Sequence, residues 1–511
     1  MNNILLGTAC LATITACTQT KKEKPAQLPN IVIVYADDLG YGDVGAYGAT
    51  RLKTPNIDKL ANGGVRFTSG YATSSTCTPS RYALLTGEYP WRNKDAKILP
   101  GTAPLLIDTA QMTIPKMLKG KGYRTGVVGK WHLGLGNGIV DWNQKISPGP
   151  NEVGFDYAYI MAATQDRTPT VFIDNGFVSG LEKDDPLFVD YEKNFEGEPT
   201  GLDHPELCKM MWQHGHNNSI HNGIPRIGFQ KGGKSALWVD EDMSDTFLGK
   251  AKQYIQENKN KPFFLYYALQ QPHVPRTPNQ RFVGTSGMGP RGDAIVEADW
   301  CVGELIKTLE TEGLLENTLI IFSSDNGPVL NDGYYDDAVE KLGGHTPAGP
   351  LRGGKYSLFE AGTRVPFITY WKGKIEPSVS DAIVSHLDLL SSLAKLAGSE
   401  TTVPDSQELL EVLMGTSQQG REELLLEATS RTALRKGDWA MIPPYKGPAV
   451  NKSVNIELGN SLQYQLYNLK EDIGQQKNLA ESEPEKLQEM IKTFENIRGT
   501  GSQEVEQLEL K

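Results

Sequence analysis

Asn30-Ile31-Val32-Ile33-Val34-Tyr35-Ala36-Asp37-Asp38 is an apolar run that stops at two carboxylates. A continuous apolar run of this length suits a strand buried on both faces, as in a parallel sheet. Three further runs repeat the design. Gly126 to Gly129 leads to Lys130 and His132, Phe263 to Leu269 leads to His273, and Leu319 to Phe322 leads to Asp325-Asn326. Each delivers titratable side chains just past its C-terminal end, the edge where open α/β sheets gather ligands. Four separated segments are therefore expected to meet at one polar site.

Amphipathic helix patterns lie between these runs, as in a sheet with helices on both faces. Thr54-Pro55 reads as an N-cap with proline at the first helical position, and Ile57 and Leu60 supply the apolar side before Gly63-Gly64. Ala294 to Leu309 is helical, with Trp300, Leu305 and Leu309 in register. After about Gly398 the pattern changes. Ala433 to Ile442, broken by a Lys436-Gly437-Asp438 turn, and Tyr464 to Leu469 read as antiparallel strands. A last helix carries Leu487, Met490, Ile491 and Phe494 at i, i+3, i+4, i+7. The expected fold is α/β: a large mixed, mostly parallel sheet over 29–398, then a smaller α+β unit with an antiparallel sheet over 399–511.

At 511 residues the chain is too long for one ordinary core, so two or more packed units are expected. A net charge of -11 argues against nucleic acid or an acidic membrane as a partner, though a local basic pocket can still take an anion. The 5 cysteines form no CxxC pair, so neither a disulfide framework nor a zinc site is indicated. Ile4 to Ala16 is apolar but too short to span a bilayer, and Ile14-Thr15-Ala16-Cys17 resembles a bacterial lipoprotein signal. Residues 1–17 are accordingly read as a signal ending in a lipidated Cys17, and 18–28 as a tether. The n-region Met1-Asn2-Asn3 departs from that pattern in lacking Lys or Arg. The expectation is export, with the membrane met only through the lipid: an outer-membrane anchor or a periplasmic protein.

The sharpest motif is Cys77-Thr78-Pro79-Ser80-Arg81, followed by Tyr82 to Leu85 and Thr86-Gly87. Pro79 starts a short helix and Gly87 ends it, placing Cys77 at an N-terminus whose free N–H groups suit an anion. Arg81, one turn in, adds a planar cation for oxyanions. A bare cysteine here reads as a low-pKa thiolate nucleophile. Asp37, Asp38, Asp325 and Asn326 offer only oxygens, which suits a hard cation, calcium ahead of magnesium, and not zinc.

The C-x-P-S-R and A-L-L-T-G stretch resembles the signature of the formylglycine-dependent sulfatases. Asp37 to Asp43, Gly129-Lys130-Trp131-His132, Gln271 to Pro275, Ser324 to Gly327, and Leu351 to Lys355 with Glu360 to Pro366 resemble the family's other motifs, in order. Leu466-Tyr467-Asn468-Leu469 and Asn478-Leu479-Ala480 look like its closing domain. The resemblance implies that a maturation enzyme oxidises Cys77 to an aldehyde, which is hydrated to a geminal diol. One hydroxyl attacks sulfur and the other later expels sulfate. It further implies that Asp37, Asp38, Asp325, Asn326 and the modified Cys77 bind Ca2+. Arg81 would orient the diol, Lys130 and Lys355 would hold sulfate, His132 would be the base, and His273 would be the acid serving the leaving oxygen.

For substrate contacts, Asp166, Arg167, His216 and Arg352 are the candidates, because polar residues on long excursions often select ligands. His214 and His216 are otherwise expected to be exposed loop histidines. His204, His221, His345 and His386 match no catalytic position, and His386-Leu387-Asp388 reads as part of a helix on the core. Arg281 to Ser286 with Arg291 to Ala294 resembles a stretch of sulfatases acting on galactose-type sugars. The expected substrate is a sulfated glycan, with exo-action on sulfated galactose or N-acetylgalactosamine. Two other readings are a phosphodiesterase or phosphonate monoester hydrolase of the same superfamily, which the paired histidines disfavour, and a non-catalytic glycan-binding lipoprotein, which the intact catalytic positions disfavour.

Overall fold

The computed structural model describes residues 28–499. The signal expected over 1–17, Cys17 and nearly all of the tether lie outside the described residues. The strands that position the site are β1 (Asn30–Ala36), β2 (Val65–Tyr71), β3 (Arg124–Lys130), β4 (Tyr157–Met161), β5 (Phe172–Asp174), β6 (Phe177–Val178), β7 (Phe263–Ala268), β8 (Thr318–Ser324), β9 (Phe367–Tyr370) and β10 (Ser378–Ser385). They form one 10-stranded sheet in the order β10-β2-β9-β8-β1-β7-β3-β4-β5-β6. The centre, from β8 through β1, β7 and β3 to β4, is parallel. Strand β9 enters antiparallel between β8 and β2, and β5 and β6 close the other edge as antiparallel strands.

The reading of β1 as a doubly buried strand holds. Ile31, Ile33 and Tyr35 pack in the core on one side of the sheet, and Val32, Val34 and Ala36 pack on the other. Helices α1 (Pro55–Gly63), α4 (Met243–Asn258) and α5 (Gly289–Thr311) cover one face. Helices α2 (Cys77–Thr86), α3 (Ile114–Gly120) and α6 (Leu389–Leu396) cover the other. Thr54 stands at the start of α1 but does not cap it with its side chain. Asp299 of α5 does so instead, accepting the N–H groups of Asn56 (3.0 Å) and Ile57 (2.8 Å). A buried carboxylate from a neighbouring helix replaces the local cap.

A 4-stranded antiparallel sheet follows: β11 (Glu423–Ala428), β12 (Arg431–Lys436), β13 (Trp439–Ile442) and β14 (Gln465–Asn468), with helix α7 (Pro484–Arg498) against it. Leu409, Val412 and Leu413, just past Gly398, still pack in the core of the large sheet. The two sheets share a cluster in which Tyr71, Ala83 and Leu387 meet Leu424, Leu426 and Leu466. Strand β11 also bonds the segment leading into α2, where Ser75 N–H donates to the Glu427 carbonyl at 2.8 Å. Among the described residues no helix is long and apolar enough to cross a membrane.

Candidate active site

All four apolar runs end on the same edge of the sheet, and their polar ends meet. Lys130, the last residue of β3, lies 2.6 Å from Asp37 past β1. Asp325, past β8, accepts the Asp38 N–H at 3.2 Å, and Asn326 gives its side-chain amide to Asp38 Oδ1 at 2.7 Å. From α2, Arg81 donates through Nε (3.0 Å) and a terminal nitrogen (2.7 Å) to Asp325 Oδ2, with a further contact to the Tyr266 hydroxyl at 3.2 Å. Lys355 joins Asp38 at 2.9 Å and Asp332 at 2.8 Å. His273 Nε2 approaches Asp38 Oδ2 at 3.8 Å. Cys77 sits at the first position of α2 and is buried, as are all of these groups.

The local backbone explains the glycines of the Asp37–Asp43 stretch. A Cβ at Gly42 would stand 2.2 Å from the Thr346 carbonyl oxygen, so the 346–349 loop can lie on this turn only if the residue is glycine. Asp43 then anchors the turn, accepting from Arg291 at 2.6 Å and contacting His345 at 2.8 Å. Asp38 and His132 hold left-handed backbone, at φ 63 and φ 53, which non-glycine residues adopt where surrounding structure compels it.

Electrostatically the site is short of positive charge in one spot. Burial opposes ionisation of Asp325, yet Arg81 and Lys130 overcome it and hold its carboxyl at about 2. Asp37 lies in the same cluster, and there burial wins over Lys130 and drives its carboxyl well above the usual range. Asp37 Oδ1 and Asn326 Oδ1 are buried without a hydrogen-bond partner. Two orphaned oxygens beside Asp38 and Asp325 fit a hard cation, which would satisfy both. Asp37, Asp38 and His273 offer ligand atoms within 4.8 Å of one another, so this acidic group can hold a metal ion.

The bare-thiolate reading of Cys77 is corrected. Burial pushes the thiol up despite Lys130 and Lys355, so an unmodified Cys77 here is a protonated thiol and a poor nucleophile. Both histidines are driven well down, first by burial: His132 further by Lys130 and Arg167, His273 further by Lys355 and Lys130. Their tautomers follow from carbonyl partners. His132 Nε2–H donates to the Leu99 carbonyl (2.8 Å), leaving a buried, unpartnered Nδ1. His273 Nδ1–H donates to the Val274 carbonyl (2.7 Å), leaving Nε2 toward the acidic cluster.

Residues 29–399 match the protein family Sulfatase. The chain belongs to the sulfatase family. This sulfatase is 49% identical over 496 residues to an N-acetylgalactosamine-6-O-sulfatase of Bacteroides thetaiotaomicron, covering 96% of this chain and 97% of that one. It is 34% identical over 407 residues to human arylsulfatase A, covering 78% of this chain and 70% of that one. A solved Bacteroides thetaiotaomicron structure from work on glycosaminoglycan metabolism superposes with a TM-score of 0.91 at 49% identity, covering 93% of this chain and 100% of that one. The PsFucS1 sulfatase of a Pseudoalteromonas species superposes with a TM-score of 0.69 at 26% identity, covering 93% and 90%. The protein is therefore a sulfuric ester hydrolase.

The outer residues of the sulfatase divide into two groups. Asp166, past β4, receives His216 Nε2 at 2.9 Å and Arg167 at 3.3 Å. His216 is thus buried, against the expectation of an exposed loop histidine; its loop folds inward onto Tyr334, ring to ring at 4.9 Å. Although burial disfavours the Asp166 carboxylate, Arg167 and the His216 hydrogen bond hold it ionised, well below the usual range. Arg226 keeps this loop in place, donating to the Gln165 carbonyl (2.6 Å) and to Asp240 (2.8 Å). Arg352, by contrast, is engaged by Glu457 (2.7 Å) and the Gln475 carbonyl (2.7 Å), with its guanidinium over Phe359. In the Arg281–Ala294 stretch, Arg281 bonds Asp245, Asp293 bonds Gly284 and Ser286, and Arg291 bonds Asp43. That stretch braces the metal-motif turn from behind. Asp332, which fixes Lys355, was missed because Asn331-Asp332-Gly333 reads only as a turn.

Proposed function

We propose that this sulfatase removes the 6-O-sulfate of N-acetylgalactosamine or a galactose-type sugar in a glycan, with Cys77 converted to formylglycine and calcium at the acidic cluster. The near full-length likeness to an N-acetylgalactosamine-6-O-sulfatase carries the sugar assignment. Asp37, Asp38, Asp325 and Asn326 would hold the calcium with the modified residue 77, and the two orphaned oxygens favour that fit. Calcium and formylglycine together supply an activated oxygen nucleophile and offset the negative charge of sulfate.

The chain's own residues do the rest. Lys130 and Lys355 present cations to sulfate oxygens, and Arg81, one turn into α2, holds Asp325. His132, with Nδ1 unpartnered, accepts a proton from the nucleophile. His273 delivers a proton from Nε2 to the leaving sugar oxygen. The lysines that depress the His273 pKa are neutralised when sulfate arrives between them, so substrate binding itself favours protonation of the acid. Asp166, held ionised, accepts a sugar hydroxyl, and galacto and gluco sugars differ in the direction of one such hydroxyl. Matched 6-sulfated N-acetylgalactosamine and N-acetylglucosamine test the reading. Wild type should prefer the former in kcat/KM, and Asp166→Ala should erase most of the preference. A preference for the gluco sugar, or an Asp166→Ala variant with unchanged selectivity, would overturn the sugar assignment and leave the sulfatase intact.

A further inference from the structure

We infer that His386 is a positioning residue of this sulfatase: it is the central link of a buried hydrogen-bond chain of fixed direction that ties together three segments of the active site. His386 follows β10 and is fully buried, with Nδ1 at 2.8 Å from the Tyr35 hydroxyl and Nε2 at 2.7 Å from the Ser323 hydroxyl. Tyr35 in turn meets the Ser80 hydroxyl at 3.2 Å, and Ser323 meets the Pro366 carbonyl at 2.7 Å.

One link fixes the direction of all the others. A carbonyl cannot donate, so the Ser323 proton goes to Pro366. Ser323 Oγ must then accept from His386, which places the ring proton on Nε2. A neutral ring carrying that proton offers only a lone pair at Nδ1, so Tyr35 donates to it. The Tyr35 oxygen is then free to accept from Ser80. The chain therefore runs from Ser80 through Tyr35, His386 and Ser323 to Pro366. Burial supports the neutral ring, holding His386 down at about 3.

The members of the chain explain its consequence. Ser80 precedes Arg81, Tyr35 lies two residues before Asp37, and Ser323 lies two residues before Asp325. The Arg81 guanidinium stands 5.3 Å from the Tyr35 ring centre while bonding Asp325. A phenol that donates its proton is more electron-rich, which favours a cation over its face. His386 thus sits beneath the Arg81–Asp325 pair and fixes it without contacting substrate.

Two substitutions separate the ends of the ring. Glutamine at 386 can keep the donor toward Ser323, and asparagine can keep the acceptor toward Tyr35. For His386→Gln and His386→Asn, kcat on an aryl sulfate, per molecule carrying converted Cys77, should fall roughly tenfold while KM stays within about twofold. That normalisation rests on the formylglycine reading. Tyr35→Phe should lose a similar factor, and combined with His386→Gln it should lose little more, because both break one chain. Long-range proton–nitrogen spectra of the wild-type protein, assigned by the signal lost in His386→Gln, should show Nε2 protonated and Nδ1 bare. That readout needs neither activity nor a modified Cys77. An Nδ1–H or doubly protonated ring would overturn the inference. So would an unchanged kcat in both variants, or losses in the double variant that simply multiply. If the His386 variants do not fold, the wild-type spectrum and Tyr35→Phe decide.

Discussion

Asn326 donates its side-chain amide to Asp38 Oδ1 at 2.7 Å, and that bond turns its amide oxygen into a buried position with no donor. An oxygen so placed is stabilised by a cation. Chelation should therefore abolish sulfate release, and calcium should restore it better than zinc. Because the ion binds the folded chain preferentially, saturating calcium should raise the thermal midpoint, by about 2.7 kcal/mol of stabilisation at a hundredfold excess over Kd. Asn326→Ala should weaken calcium binding in calorimetry. Full activity from protein shown to be metal-free would remove the ion from the mechanism.

Cys77 is a buried, protonated thiol in its unmodified form, so it cannot serve as a thiolate at neutral pH. Protein made beside a maturation enzyme should contain formylglycine at residue 77, seen by mass spectrometry of the tryptic peptide. Activity should track the converted fraction. Cys77→Ala should be inactive but fold with a stability near that of the parent, within about 1–2 kcal/mol.

His273 has one nitrogen fixed on the Val274 carbonyl and the other turned toward Asp38. His273→Ala should reduce kcat on a sugar sulfate by about 10²–10⁴-fold. An aryl sulfate, whose leaving group needs little protonation, should lose far less. Equal losses on the two substrates would take the acid role away from His273.

Glu427 is buried with Oε2 unpartnered, and burial pushes its carboxyl from the ordinary 4.5 up to about 8. A folded-state pKa above the unfolded value gives stability that is complete below about 4.5 and declines as pH rises toward 8. Glu427→Gln, which cannot ionise, should lose less stability than the parent between pH 5 and pH 8. The difference should be on the order of 2–4 kcal/mol in denaturant titrations. Parallel curves for the two proteins would show that Glu427 is not titrating in that window.

What could be read in advance was what lies close together in the chain. The strands β1, β3, β7 and β8 are apolar on both sides and each ends on its own reactive group, so a single stretch shows both strand and site. Strand β2, Val65–Tyr71, was not legible in this way, because Arg66, Thr68 and Ser69 interrupt it and its burial comes from β9 and β10, far off in sequence. Strand β11 escaped notice for a similar reason: Glu423–Ala428 looks like a helix turn until β12 pairs with it. The same limit applies to side chains. Nothing around His216 shows that Asp166, 50 residues earlier, will bury it, and nothing around His386 points to Tyr35, 351 residues away. Asp38 was assigned by motif, but its bond to Lys355 spans 317 residues.

The bonding of Ser75 to Glu427 has a consequence in time. The segment entering α2 is pinned by a strand of the C-terminal sheet, and Cys77 is only 2% exposed once that strand is in place. An enzyme that must enclose residue 77 and its neighbours cannot reach a side chain so buried. Strand β11 leaves the ribosome long after Cys77 does, and at typical synthesis rates the interval is on the order of tens of seconds. Any oxidation of Cys77 has to be completed within that interval, or on a chain kept unfolded afterwards. Under the proposed conversion to formylglycine, a copy that folded first would stay in its thiol form, and the active fraction of a preparation would record a race between maturation and folding.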